Sequence, residues 1–123
     1  MSAFSETEKD KKSPTNSRTA LVIFNPVAGR RRRVFFRKTL AAMEKLGLSV
    51  EMQETEYPGH AEELARERTA QHAESRPDLI VAAGGDGTIN EVANGMIGSD
   101  VTLGIIPLGT ANVLAKEIGL PQR

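Results

Sequence analysis

Short apolar runs that stop at glycine- or proline-bearing turns and lead straight into amphipathic stretches constrain this chain more than any other feature. Residues 20–24 (ALVIF) stop at Asn25-Pro26, and residues 79–83 (LIVAA) stop at Gly84-Gly85-Asp86-Gly87. Continuous apolar runs of this length suit strands buried on both faces. Between them, Phe36, Leu40, Met43 and Leu46 stand at helical spacing, which predicts a helix over 32–46 ended by Gly47. Leu48, Val50 and Met52 alternate with Ser49, Glu51 and Gln53, the pattern of a half-exposed edge strand. A second helix is predicted over 60–74, with Ala61, Leu64, Ala65 and His72 on its inner side and Pro77 as its breaker. Ile89, Val92, Ala93 and Met96 mark a third helix. Residues 101–106 read as a fourth strand closed by Pro107, and 111–118 begin a fourth helix before Gly119.

The order is strand–helix, four times over. Such repeats predict a three-layer α/β/α domain with a mostly parallel sheet of four or more strands. Ligands of these sheets bind at the carboxyl ends of the strands. Three of the four strand ends here carry unusual turn chemistry, which points to the site.

Composition narrows the class. The apolar share of 39% over 123 residues is that of a globular chain with one domain. The first 17 residues hold only Met1, Ala3 and Phe4 as apolar groups, so 1–17 is expected to be a flexible arm and 18–123 the domain. The absence of cysteine excludes a disulfide scaffold and thiolate zinc sites. No apolar stretch reaches membrane-spanning length, and no basic leader precedes an apolar core, so a cytoplasmic protein is expected. Sixteen basic residues balance sixteen acidic ones, and four Phe, one Tyr and no Trp leave little for stacking bases. Nucleic acid is therefore not an expected partner.

The strongest chemical signal is Gly84-Gly85-Asp86-Gly87-Thr88, followed by Ile89-Asn90-Glu91. Glycines permit positive φ and let a ligand approach bare backbone, and the helix start that follows offers unpaired amides to a phosphate. Thr88 can cap that helix or donate to a phosphate oxygen. A carboxylate beside a phosphate repels it, so Asp86 fits the site if magnesium lies between them. The alternative is a tight turn in which Asp86 is merely an N-cap. A Walker A string is absent, and Asn90 stands where a dinucleotide fingerprint needs its third glycine.

Three further segments contribute. Pro107-Leu108-Gly109-Thr110-Ala111-Asn112 repeats the glycine–threonine helix start. Asn25-Pro26-Val27-Ala28-Gly29 leads into Arg30, Arg31, Arg32 and Arg33, which with Arg37 and Lys38 put six cations within nine residues. That run reads as a solvated basic helix face, or as a patch for nucleotide phosphates or an anionic membrane. At a helix start, four arginines oppose the macrodipole. Thr55 and His60 flank the turn after the second strand; a hydroxyl there can reach a ribose or base, and His60 reads as a helix-start residue rather than a base.

Asn25-Pro26-x-Ala28-Gly29, Thr55-x-x-Pro58-Gly59-His60-Ala61, Gly84-Gly85-Asp86-Gly87-Thr88-x-Asn90-Glu91 and Pro107-Leu108-Gly109-Thr110-x-Asn112 together resemble the diacylglycerol kinase catalytic domain, the family of sphingosine, ceramide and bacterial lipid kinases. The motifs stand in the family's order and cover residues 20–121. NAD kinases share the Gly-Gly-Asp-Gly-Thr loop, and the Gly-Thr-x-Asn turn favours the lipid kinases. The resemblance implies ATP held by Gly84, Gly85, Asp86, Gly87, Thr88, Ile89 and Asn90, with Asp86 in a magnesium network. Thr55 and Thr110 would make further nucleotide contacts, and Asn25 would shape the floor. It implies γ-phosphoryl transfer to a lipid hydroxyl, with a diacylglycerol-like acceptor. Many relatives carry Asp where this chain has Val113, so the polar contacts of that Asp cannot form. The family's second, β-rich lobe, which supplies the candidate base, would follow Arg123; no catalytic base is expected within these residues. NAD as acceptor, and a nucleotide-binding module without chemistry, are the alternative readings.

Overall fold

A computed structural model describes residues 18–109. The expected arm (1–17), the fourth helix (111–118) and Thr110 lie outside the described residues. The elements are β1 (Arg18–Phe24), α1 (Pro26–Arg31), α2 (Arg33–Lys45), β2 (Leu48–Glu54), α3 (His60–Thr69), β3 (Leu79–Gly84), α4 (Asp86–Gly95) and β4 (Thr102–Pro107).

All strand pairs are parallel, in the order β2-β1-β3-β4. The two apolar runs occupy the two central positions, where both sheet faces are covered. Alternate residues of β1 feed two separate cores. Leu21 and Ile23 pack with Ile80, Ala82, Ala61, Ala65, Val92 and Met96 beneath α3 and α4. Val22 packs with Phe36, Val81, Ala83, Ile106 and Leu108 beneath α2. Leu21, Val22 and Ile23 are fully buried, each contributing about 1.5–3 kcal/mol of apolar transfer. The three-layer α/β/α class follows directly from this two-sided burial. Phe24 and Phe36 add a tilted ring pair with centroids 5.7 Å apart on the α2 side.

Two boundaries differ from expectation. The helix predicted over 32–46 is two helices. Asn25 accepts the Val27 amide at 2.9 Å, and Pro26 stands at the first helical position, so a helix nucleates directly after β1. At Arg32 the backbone leaves the helical region (φ −122°, ψ 46°), and α2 restarts at Arg33. The arginines are thus not all at a helix start. Arg30 and Arg31 lie at the carboxyl end of α1, where the dipole favours cations, and only Arg33 opens a helix.

The helix predicted over 60–74 ends at Thr69. Residues 71–75 are exposed and offer the sheet no large apolar side chain, so nothing holds a further turn against the core. His72 is exposed rather than packed, and its carbonyl accepts the Ser75 and Arg76 amides. Gly47 does end α2 as predicted, with φ +97° and its amide on the Glu44 carbonyl.

Helices α3 and α4 touch closely enough to require a glycine. A Cβ at Gly95 would collide with the Glu62 carbonyl and stand 2.8 Å from the Ala65 Cβ. Gly95→Ala is therefore expected to destabilise the fold by about 2 kcal/mol, against the gain of about 1 kcal/mol that the same change brings in an open helix. Urea unfolding monitored by circular dichroism measures the sign.

Candidate functional site at the strand ends

The strand order reverses direction between β1 and β3. Chain leaving β1 and chain leaving β3 therefore diverge and open a crevice, the usual ligand position in such sheets. A cleft of about 410 Å³ lies there, lined by Asn25, Pro26 and Val27 after β1, Thr55 to Pro58 after β2, and Gly87, Thr88 and Glu91 of α4. Three of the four sequence motifs meet in it.

Main-chain bonds hold the loops in place. The Asn25 amide donates to the Ala83 carbonyl (3.3 Å), the Thr55 amide to Phe24 (2.9 Å), and the Leu108 amide to Gly84 (2.9 Å). Each bond carries the ladder one step beyond a strand and fixes where the next loop begins. Glu91 joins two motifs: its carboxylate accepts the Gly59 amide at 3.0 Å. His60 is the first residue of α3, and its Nδ1 accepts the Glu56 amide at 2.9 Å. The Tyr57 ring stacks on His60 at 4.4 Å and 16°, while its hydroxyl donates to Glu63 at 2.6 Å. His60 thus braces the turn with a lone pair already committed.

Gly84 ends β3, Gly85 is the N-cap of α4, and Asp86 is its first helical residue, so Asp86 is not the cap. Thr88 makes no capping bond to this helix. None of Gly84, Gly85 and Gly87 has positive φ, contrary to the conformational freedom expected of them. At Gly84 smallness matters instead for contact, whereas a Cβ at Gly87 would meet nothing within 4 Å. A Cβ at Gly84 would stand 2.9 Å from both Cβ and Oγ1 of Thr88, and one at Gly109 would stand 3.6 Å from the Gly85 Cα. The left-handed glycine of the site is Gly59 (φ +90°), the N-cap of α3.

Of the sequence-predicted residues, Asn25, Thr55, Gly87 and Thr88 line the cleft. Gly84, Gly85, Asp86 and Asn90 belong to the same turn without lining it. Ile89 packs its side chain against the α3–α4 core and gives its amide to the Gly85 carbonyl. The amides of Gly87 and Thr88 precede that bond and, by helix geometry, have no carbonyl four residues back. Sequence reasoning missed Tyr57 and Glu91 as lining residues. Glu91 was detectable: it stands four residues after Gly87, on the same helix face.

The comparisons with known proteins decide the family. The model of the diacylglycerol kinase catalytic domain matches residues 19–123. The chain belongs to this family. It is 41% identical to a diacylglycerol kinase of Bacillus subtilis over 84% of its own length and 34% of the relative's. It is 32% identical to a mitochondrial acylglycerol kinase of Xenopus laevis, covering 85% of this chain and 25% of the relative. A solved diacylglycerol kinase from Bacillus anthracis superposes with a TM-score of 0.60 at 30% identity, over 85% of this chain and 38% of that one. The chain thus spans about a third of the length of the bacterial diacylglycerol kinases it matches.

The Tyr57 hydroxyl is held above its ordinary range, first by donating to Glu63, then by partial desolvation and the carboxylates of Glu63, Glu56 and Glu67. The neutral phenol is the favoured form, so the Tyr57–Glu63 bond is intact at neutral pH and is lost only as pH rises past the ordinary phenol value. Tyr57 is the single tyrosine and tryptophan is absent, so phenolate absorbance reports this group alone. Its midpoint should lie above 10.0. Glu63→Gln should lower that midpoint, and an unchanged midpoint would contradict the contact.

Proposed function

We propose that this chain is the ATP-binding lobe of a lipid kinase, residues 18–123 in this reading, acting with a second, β-rich lobe. The observation that carries the proposal is the convergence of three motif loops on the cleft at the reversal of strand order. Phosphates would sit against the first turn of α4, where the Gly87 and Thr88 amides and the positive end of the helix dipole meet an anion. Thr55 and Asn25 would contact the rest of the nucleotide, with Thr110 from the loop after β4.

Among the described residues no cluster of three His, Cys, Asp or Glu is placed to hold a metal by itself. One carboxylate, Asp86, at the helix start fits magnesium that keeps most of its waters and is shared with nucleotide phosphates. When bound, that ion supplies charge neutralisation to the transferring group. Glu91 is spent on Gly59 and acts here as a brace for the phosphate turn.

The reaction breaks the bond between the γ-phosphorus and the β–γ bridging oxygen and forms one to a lipid hydroxyl oxygen, releasing ADP. The hydroxyl proton needs a base. His60 is occupied by the Glu56 amide and the Tyr57 ring, so the base is expected from the second lobe. Positioning and charge neutralisation are then the contributions of this lobe. The relatives named diacylglycerol and acylglycerol kinase support a lipid acceptor over NAD. A larger depression of about 600 Å³ between the carboxyl ends of α3 and α4 contains none of the motif residues.

With one wall of the nucleotide site supplied by the other lobe, the 123-residue chain should bind Mg-ATP weakly, near ~1 mM, and should not label diacylglycerol or a sphingoid base. Asp86→Asn should weaken Mg-ATP while leaving metal-free ATP unchanged or slightly tighter, because a repulsive charge is removed. Calorimetric titration with and without magnesium distinguishes this from a structural role, which would weaken both forms equally.

A further inference from the structure

We propose that the ring stack of Tyr57 on His60 is the platform that receives the nucleobase, a role that rests on the nucleotide reading given above.

The stack stands in the turn between β2 and α3, with ring centroids 4.4 Å apart and planes 16° from parallel. Tyr57 lines the strand-end cleft, and among the described residues it is the only aromatic ring that does so. It is 48% exposed. His60 occupies one ring face, so the surface left open to a ligand is that of the opposite face and the ring edges.

The ring is fixed before any ligand arrives. Its hydroxyl donates to Glu63 at 2.6 Å. The His60 Nδ1 accepts the Glu56 amide at 2.9 Å, and the Gly59 amide is held by Glu91 at 3.0 Å. A side chain already locked in place loses little rotamer freedom on binding.

Charge divides the cleft into two ends. The start of α4 offers amides and the positive end of the helix dipole. At the other end Glu56 lines the cleft, and the carboxylates of Glu63 and Glu67 act on the Tyr57 hydroxyl. Phosphates are drawn to the first end and repelled from the second. A nucleotide therefore lies with its triphosphate on α4 and its uncharged base on Tyr57, since every base presents a π face to an aromatic ring.

Tyr57 is the single tyrosine, so its ring protons form one unambiguous set of NMR signals. In the full chain, Mg-ATP should move them to high field on the same saturation curve as the amides of residues 84–90, because a stacked base shields the protons beneath it. Mg-tripolyphosphate should shift those amides and leave the ring signals in place. Tyr57→Ser should weaken Mg-ATP about tenfold and leave Mg-tripolyphosphate within about twofold of the parent. Tyr57→Phe, which keeps the ring and loses only the Glu63 bond, should bind Mg-ATP within about threefold of the parent. Circular dichroism checks that both variants fold, and the ring shifts of the parent need no variant. Two results would overturn the platform and leave the nucleotide site standing: ring signals that stay put while residues 84–90 respond to Mg-ATP, or a Tyr57→Ser change that affects both ligands equally. No response of residues 84–90 to either ligand would overturn the nucleotide reading, and the platform with it.

Discussion

The alignment of strand ends is the constraint on which everything else depends. Four parallel strands in the order β2-β1-β3-β4 bring their carboxyl ends to one edge, and three amide–carbonyl bonds extend the ladder past those ends. A one-residue slip of β1 would exchange Leu21 and Ile23 for Val22 and Phe24 between the two cores. It would also move Asn25 away from the Ala83 carbonyl. Register, core and site are therefore set by the same pairing. The turn at Gly84 and Gly85 holds its geometry without positive φ, whereas Gly59 supplies the left-handed residue of the neighbouring loop.

Most of the fold was legible because it rests on runs and periods. The buried strands are continuous apolar runs, and the edge strand β2 alternates. Gly47 follows the last position at helical spacing, Leu46, although Leu46 itself caps α2 and is 82% exposed rather than packed. What was not legible depends on tertiary contact or on backbone at one residue. Nothing in Arg30 to Arg33 marks Arg32 as the break, because four identical side chains carry no local signal. The end of α3 at Thr69 comes from the absence of any large apolar contact beyond it, whereas the nearest breaker, Pro77, stands well downstream.

The site shows the same division. The motif loops were readable, and Asn25, Thr55, Gly87 and Thr88 do come together. The reason for glycine at position 84 was not readable, because it lies in the Thr88 side chain packed against it. Glu91 lines the cleft, and its carboxylate is directed at a backbone amide of the neighbouring loop, a tertiary contact that the sequence does not display.

Two-dimensional NMR of the 15N-labelled chain during Mg-ATP titration tests whether loops from three strands form one nucleotide site, as proposed. Amides of Asn25, Thr55 and residues 84–90 should shift together along one saturation curve, with Gly59 following through Glu91. Shifts confined to Arg66, Arg76 and Gly98 at the opposite end of the sheet, or separate curves for the separate loops, would contradict it.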